Sequence, residues 1–183
     1  MHEFFIDINQ YIMKSKFVLA ILTLALLTAC GGPSVLTLSS PAFQNGEVLP
    51  QNYSCDGGEV SPELSISGVP EGTVSLALVV EDPDTFAGTF THWVVFDIDP
   101  TIETIAEDLA PDGSIVGNNS NNESMYYPAC PPDDEDAHRY IFKLYALDIM
   151  LNGDQTLSGD AFYEAIEGRV LEQAELMATY SRS

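Results

Sequence analysis

Three short apolar runs set the terms on which this chain can fold. Residues 75–81 read SLALVVE, residues 92–98 read HWVVFDI and residues 139–147 read RYIFKLYAL. Their length and their β-branched and aromatic content suit strands rather than helices. In the third run Tyr140, Phe142, Leu144 and Ala146 recur at every second position, the period that puts side chains on one face of a strand. Turn signals lie between the runs: Asp56-Gly57-Gly58, Val69-Pro70-Glu71-Gly72, Asp112-Gly113 and Asn152-Gly153. Residues 111–138 form a long linker rich in Asn, Ser, Pro and Asp, and a loop of that length is usually functional or mobile. A helix is predicted after Ser158, a candidate N-cap, with Phe162, Ala165 and Ile166 on one face and Gly168 as its stop. Residues 170–177 read as a second short helix. The chain is therefore expected to be mostly β, with its helices gathered at the C-terminal end.

The N-terminal end carries an address. Residues 17–27 read FVLAILTLALL, preceded by Lys14 and Lys16 and followed by Leu27-Thr28-Ala29-Cys30. This is the layout of a secretory signal peptide. The stretch is short of the ~20 apolar residues of a membrane span. Its ending resembles the lipobox of bacterial lipoproteins, which implies lipidation of Cys30 as the mature N-terminus; an ordinary secretory signal with a chance cysteine is the alternative. Gly31, where Asp would signal inner-membrane retention, points to the outer membrane, facing the periplasm. Glu3 and Asp7 cancel Lys14 and Lys16, and a start at Met13 restores a positive n-region. The expected organisation is a signal peptide over 1–29, with 1–12 a mis-assigned start, a lipidated tether over 30–34, and one domain over 35–183.

Beyond residue 29 four basic side chains face 26 acidic ones, leaving a net charge of −22. Such a balance excludes nucleic acid as a partner, because binding it requires basic surface. It also opposes anionic headgroups, and it reads as adaptation to salty surroundings. With Cys30 assigned to lipid, Cys55 and Cys130 remain. An even pair in an oxidising compartment reads as a disulfide, with two buried free thiols as the alternative.

Chemistry gathers where strands end. Asp82-Pro83-Asp84 closes one run, and His92-Trp93 opens the next. If the two pair antiparallel, both aspartates and His92 converge at one end of the sheet. His138-Arg139-Tyr140 opens the third run and can reach the same rim. Carboxylates, imidazoles and aromatics around one mouth make the usual form of a small-ligand pocket. Each residue also has a structural reading. The aspartates can cap the turn at Pro83. Arg139 can serve as partner to a carboxylate, Tyr140 as core, and His92 as a satisfied core histidine. Cys55, Cys130, His92 and His138 lack the close spacing of a metal site, so no metal and no cofactor are expected.

The stretches YSCDGGEVSPEL, SLALVVEDPD, HWVV, CPP, HRYIFKLYALD and AELMATYSR resemble the phosphatidylethanolamine-binding protein family, in particular its bacterial Raf-kinase-inhibitor-like branch. The resemblance covers about residues 35–182. It implies a β-sandwich with a central antiparallel sheet and short C-terminal helices. It also implies an anion-binding pocket lined by Asp82, Asp84, His92 and His138, with Tyr126, Tyr127 or Tyr140 as aromatic wall. Three departures stand out. Ser124-Met125-Tyr126-Tyr127-Pro128-Ala129 replaces a Gly-Tyr-x-Gly-Pro run, Gly168-Arg169-Val170-Leu171 replaces Gly-His-Val-Leu, and Thr85-Phe86 stands where a small residue and Pro usually follow DPD.

The implied function is a lipid-anchored periplasmic binding protein for a small anion or a phosphorylated or phospholipid headgroup. The alternative is an inhibitor of a protease or, given the address, less readily a kinase, through the same surface. Neither a Gly-x-Ser-x-Gly elbow nor an HExxH helix occurs in the sequence, and an enzyme is not expected.

Overall fold

The computed structural model describes residues 35–133, 135–153 and 157–182. The signal segment, Cys30 and the tether expected over 30–34 lie outside the described residues. Among the described residues eight strands form two antiparallel sheets. The smaller sheet has the order β1 (Thr37–Ser39), β2 (Leu64–Ser67), β5 (Thr104–Ile105). The larger has the order β6 (Ile115–Val116), β4 (Phe90–Ile98), β3 (Ser75–Asp82), β7 (His138–Leu147), β8 (Val170–Tyr180). A 3₁₀ turn occupies Gln51–Tyr53, and helix α1 runs over Gly159–Ile166. The mostly β sandwich expected from the sequence is the fold observed.

The three apolar runs are the three central strands of the large sheet, and alternation explains how each serves two layers. On β3, Leu76, Leu78 and Val80 face the small sheet and pack with Leu38, Leu64 and Ile66. Ala77 and Val79 point the other way, onto Phe162 and Ile166 of α1. Tyr140, Phe142, Leu144 and Ala146 of β7 all enter the core between the sheets. A strand buried on both faces reads as a nearly continuous apolar run, which is what residues 75–81 show.

One element departs from its expectation. Residues 170–177 form strand, not helix, and pair with β7 along its whole length, from Leu147↔Val170 to His138↔Tyr180. Glu, Gln, Ala, Leu and Met favour helices. Burial at alternate positions, Leu176, Ala178 and Tyr180, reveals the period of two that prevails. Pairing with a ten-residue central strand outweighs the propensity.

Candidate functional site

Strand alternation selects which side chains meet at the end of the sheet. Continuing the β3–β7 register one step past Glu81↔Ile141 sets Asp82 opposite Tyr140. His138 is then the diagonal neighbour of Asp82 on the same face. Its Nδ1–H donates to Asp82 Oδ2 at 2.7 Å, and both residues are buried. Asp82 Oδ1 accepts the Asp84 backbone N–H at 2.8 Å, so the same carboxylate also caps the turn at Pro83. His138 Nε2 lies 3.4 Å from Glu135 Oε2. Only the imidazolium can donate from both nitrogens. Burial pulls the His138 pKa down, but the hydrogen bond and charge of Asp82, helped by Glu135, outweigh it, and the net shift is upward.

His92 enters the site through a bulge. Val80 pairs with Trp93 and Glu81 with Thr91, so His92 has no partner across from it on β3. Regular alternation from Trp93, which lies in the core between the sheets, would send His92 towards the helix. The bulge re-aims it, as such irregularities do next to binding sites. Its ring meets Tyr140 edge-on at 5.2 Å and packs against Phe90 at 4.8 Å. Its Nδ1–H donates to the Tyr127 carbonyl at 2.8 Å. Burial lowers its pKa, and its partner is a neutral carbonyl, so His92 favours the neutral form where His138 favours the charged one. Asp82 pairs with His138, and His92 with the loop backbone.

The long linker is laced to β4. Gly117 N–H donates to Val94 O, Ser120 N–H to Thr91 O and Tyr127 N–H to His92 O, at 2.9 Å each. Buried Asn119 accepts the backbone N–H groups of Asn121 and Glu123, organising the turn without the glycines of the family pattern. At its far end Cys130 is disulfide-bonded to Cys55, with Cα atoms 5.4 Å apart.

Together these elements enclose a cavity of about 250 Å³. Asp82, His92, His138 and Tyr140 are its buried polar residues, and Tyr127, Phe90, Pro131 and Pro132 are its walls. Glu135, Thr85, Phe86 and Cys130 complete the lining. Tyr140 is 1% exposed, and its hydroxyl has no hydrogen-bond partner among the described residues. Burial and the Asp82 charge raise its pKa, with the Asp82 carboxylate close enough to its hydroxyl to add to the shift, so it stays a phenol.

Two anticipated residues lie elsewhere. Asp84 is turned away by the proline corner and clamps Arg139, accepting its backbone N–H and its Nε–H at 2.9 Å each and its second guanidinium nitrogen at 2.6 Å. That contact holds the Asp84 carboxyl down at about 2, and it makes Arg139 the structural partner the sequence suggested. Tyr126 points into the core, edge-on to Trp93, and donates to the Tyr53 carbonyl at 3.1 Å. Glu135 and Phe90 were not anticipated, and Phe86 was marked only as a departure from the family pattern that alters a pocket wall. The first two stand three residues before His138 and two before His92, close enough to have been suspected once those histidines were chosen.

Comparison with known proteins agrees with this architecture. The sequence model of the family named phosphatidylethanolamine-binding protein matches residues 39–181. A UPF0098 protein of Chlamydia pneumoniae is 41% identical over 153 residues, covering 81% of this chain and all of that one. Among solved structures, CT736 of Chlamydia trachomatis, described as a phosphatidylethanolamine-binding protein homologue, superposes with a TM-score of 0.77 at 38% identity, covering 82% of this chain and 99% of that one. YbcL of E. coli gives 0.77 at 30% identity, covering 81% and 99%. A carboxypeptidase Y inhibitor, solved with its cognate proteinase, shares the fold alone, at a TM-score of 0.53 and 19% identity over 97% of this chain and 98% of that one. With a family match over this span and relatives this similar, the chain belongs to the phosphatidylethanolamine-binding protein family.

Proposed function

We propose that this protein binds, without turnover, a small anion or a phosphorylated headgroup in the cavity at the end of the large sheet. The observation that carries the reading is the Tyr140 hydroxyl, buried on the cavity lining without a partner beside the His138–Asp82 pair. A buried donor left unmet costs about 1–3 kcal/mol. An oxygen ligand removes that cost.

Calorimetry with inorganic phosphate and phosphoethanolamine tests the reading. Both are expected to bind, and Tyr140→Phe is expected to weaken them about tenfold, the worth of one net hydrogen bond. Absence of binding, or an unchanged affinity in Tyr140→Phe, overturns it. The alternative, protease inhibition through the same surface, has the fold neighbour solved with a proteinase as its support.

The proposed address is the periplasmic side of the outer membrane, through lipid on Cys30. Its support is the run FVLAILTLALL followed by Leu-Thr-Ala-Cys. A Cys30→Ser variant expressed from the full chain is expected to leave the membrane fraction, because stable anchoring needs at least two acyl chains. A variant processed and retained like the parent refutes the anchor.

A further inference from the structure

One side of the sandwich is left open. Each sheet ends there in a strand of only two residues, β5 in the small sheet and β6 in the large one. Strands this short do not seal the gap between the sheets, and core side chains reach a second cavity of about 180 Å³. Its floor is Trp93 and Tyr126, which meet edge-on with ring centroids 5.8 Å apart. Leu109 and Met125 stand at its mouth, 62% and 54% exposed. Tyr126 lines this cavity and its neighbour Tyr127 the first one, so the linker gives one ring to each.

Three polar groups of this second cavity lack a partner. Glu59 and Asp108 line it, and among the described residues neither carboxylate has an ion pair or a hydrogen bond. The four Lys and Arg side chains of the described residues are committed elsewhere, Arg139 to Asp84, Lys143 to Glu81, Arg169 to Asp148 and Arg182 to Asp56 and Asp133. The third group is the hydroxyl of Ser61. This residue is 1% exposed, and its hydroxyl, without a hydrogen-bond partner among the described residues, opens on the cavity. Leaving such a group unmet is costly. The other polar groups nearby are satisfied. The Ser61 carbonyl accepts the Asp108 N–H at 3.1 Å, which clips the two acidic loops together, and the Ser124 hydroxyl donates to Asn118 at 2.8 Å. The backbone at both acids is left-handed, with φ +58° at Glu59 and +60° at Asp108, a conformation uncommon outside glycine.

We infer that this second cavity binds a primary ammonium group carried on an apolar stem. An ammonium has three N–H donors and no acceptor. Those donors match the Glu59 and Asp108 carboxylates and the Ser61 hydroxyl. The stem lies on Trp93 and Tyr126, whose ring faces also attract a cation. Met125, unbranched and flexible, lets the mouth fit stems of different shape. The net charge of −22 raises the local concentration of cations, and two unpaired carboxylates exclude an anion. The inference does not depend on what fills the first cavity.

Trp93 is the only tryptophan of the chain, so its emission reports on this cavity. Full-length protein in low-salt buffer is titrated with hexylammonium, with hexanol as the uncharged stem, with methylammonium as the charge without a stem, and with N-acetyl-lysine methylamide as the same group on a peptide. Hexylammonium is expected to shift the emission saturably and to bind about tenfold or more tighter than either hexanol or methylammonium. In Glu59→Gln/Asp108→Asn its advantage over hexanol is expected to fall to about threefold or less. Ser61→Ala is expected to weaken hexylammonium more than hexanol. Urea midpoints check that the variants fold, and if the double variant does not, Ser61→Ala decides alone. The capped lysine binding at least as tightly as hexylammonium identifies a protein side chain as the source, and weaker binding a free amine. Three results overturn the inference: emission that no probe moves, hexanol binding as tightly as hexylammonium, or an ammonium preference that survives the variants and so belongs to the overall charge of the chain.

Discussion

His92 and His138 share one cavity and pull stability in opposite directions with pH. The His138 pKa is raised on folding. Its contribution is complete below the unfolded value, about 6.5, and is lost as pH rises through the folded value. The His92 pKa is lowered by burial. Its neutral folded form costs nothing above about 6.5, and stability is lost as pH falls from there through the folded value. The pair therefore favours a narrow range around 6.5. Urea midpoints from pH 5 to 9 are expected to show His138→Gln losing less stability than the parent on the alkaline side. His92→Gln should lose less on the acid side. Parallel profiles for parent and both variants would contradict these assignments. At this scale the sequence was informative about identity and less so about pairing. Asp82, His92 and His138 were readable from strand ends, and Tyr140 was equally compatible with core. Which imidazole Asp82 would hold was not readable, because the bulge at His92 is a property of the β3–β4 register. The same blindness placed Asp84 in the cavity, although a proline corner separates two aspartates only two residues apart.

Elements were legible where one period dominated. Residues 75–81, 92–98 and 139–147 carry strand patterns that local propensity does not contest, and they became β3, β4 and β7. Residues 170–180 carry helix-forming side chains on a strand period, and the outcome depended on an open edge of β7 that no local window contains. The path of 117–132 was hidden for a similar reason: its hydrogen bonds run to β4, not within the segment. One cross-link in that segment was legible, Cys55–Cys130, from the cysteine count once Cys30 is set aside. It closes a loop of 75 residues, for which chain entropy gives about 4.5 kcal/mol. Cys130 also lines the cavity. A Cys55→Ser/Cys130→Ser variant is expected to lose several kcal/mol in urea unfolding and to bind cavity ligands more weakly. Full stability in the double variant would show that the backbone bridge of Cys55 N–H to Ala129 O suffices to hold the loop.

At the scale of the whole molecule, charge dominates. The chain has a net charge of −22, and the described residues spend each of their four Lys and Arg side chains on an ion pair. The remaining carboxylates repel one another across the surface, and compaction raises that repulsion. Salt should therefore stabilise the fold, with a recognisable profile. The Debye length falls from about 30 Å at 0.01 M to about 8 Å at 0.15 M, so most of the repulsion is screened within that interval. Strengthened apolar burial would instead continue to grow with concentration. Thermal melts in sodium chloride from 0.01 to 1 M are expected to rise steeply to about 0.2 M and then flatten. A gain of about 1–2 kcal/mol, near 3–6 °C for a domain of this size, is the expected scale. Charge reversal supplies the control. Asp136→Lys, on the acidic surface, should raise the low-salt melting temperature and flatten the salt response. A melting temperature independent of salt below 0.2 M would mean that the fold tolerates its acidity without strain. The adaptation to salty surroundings read from composition would then lose its physical basis.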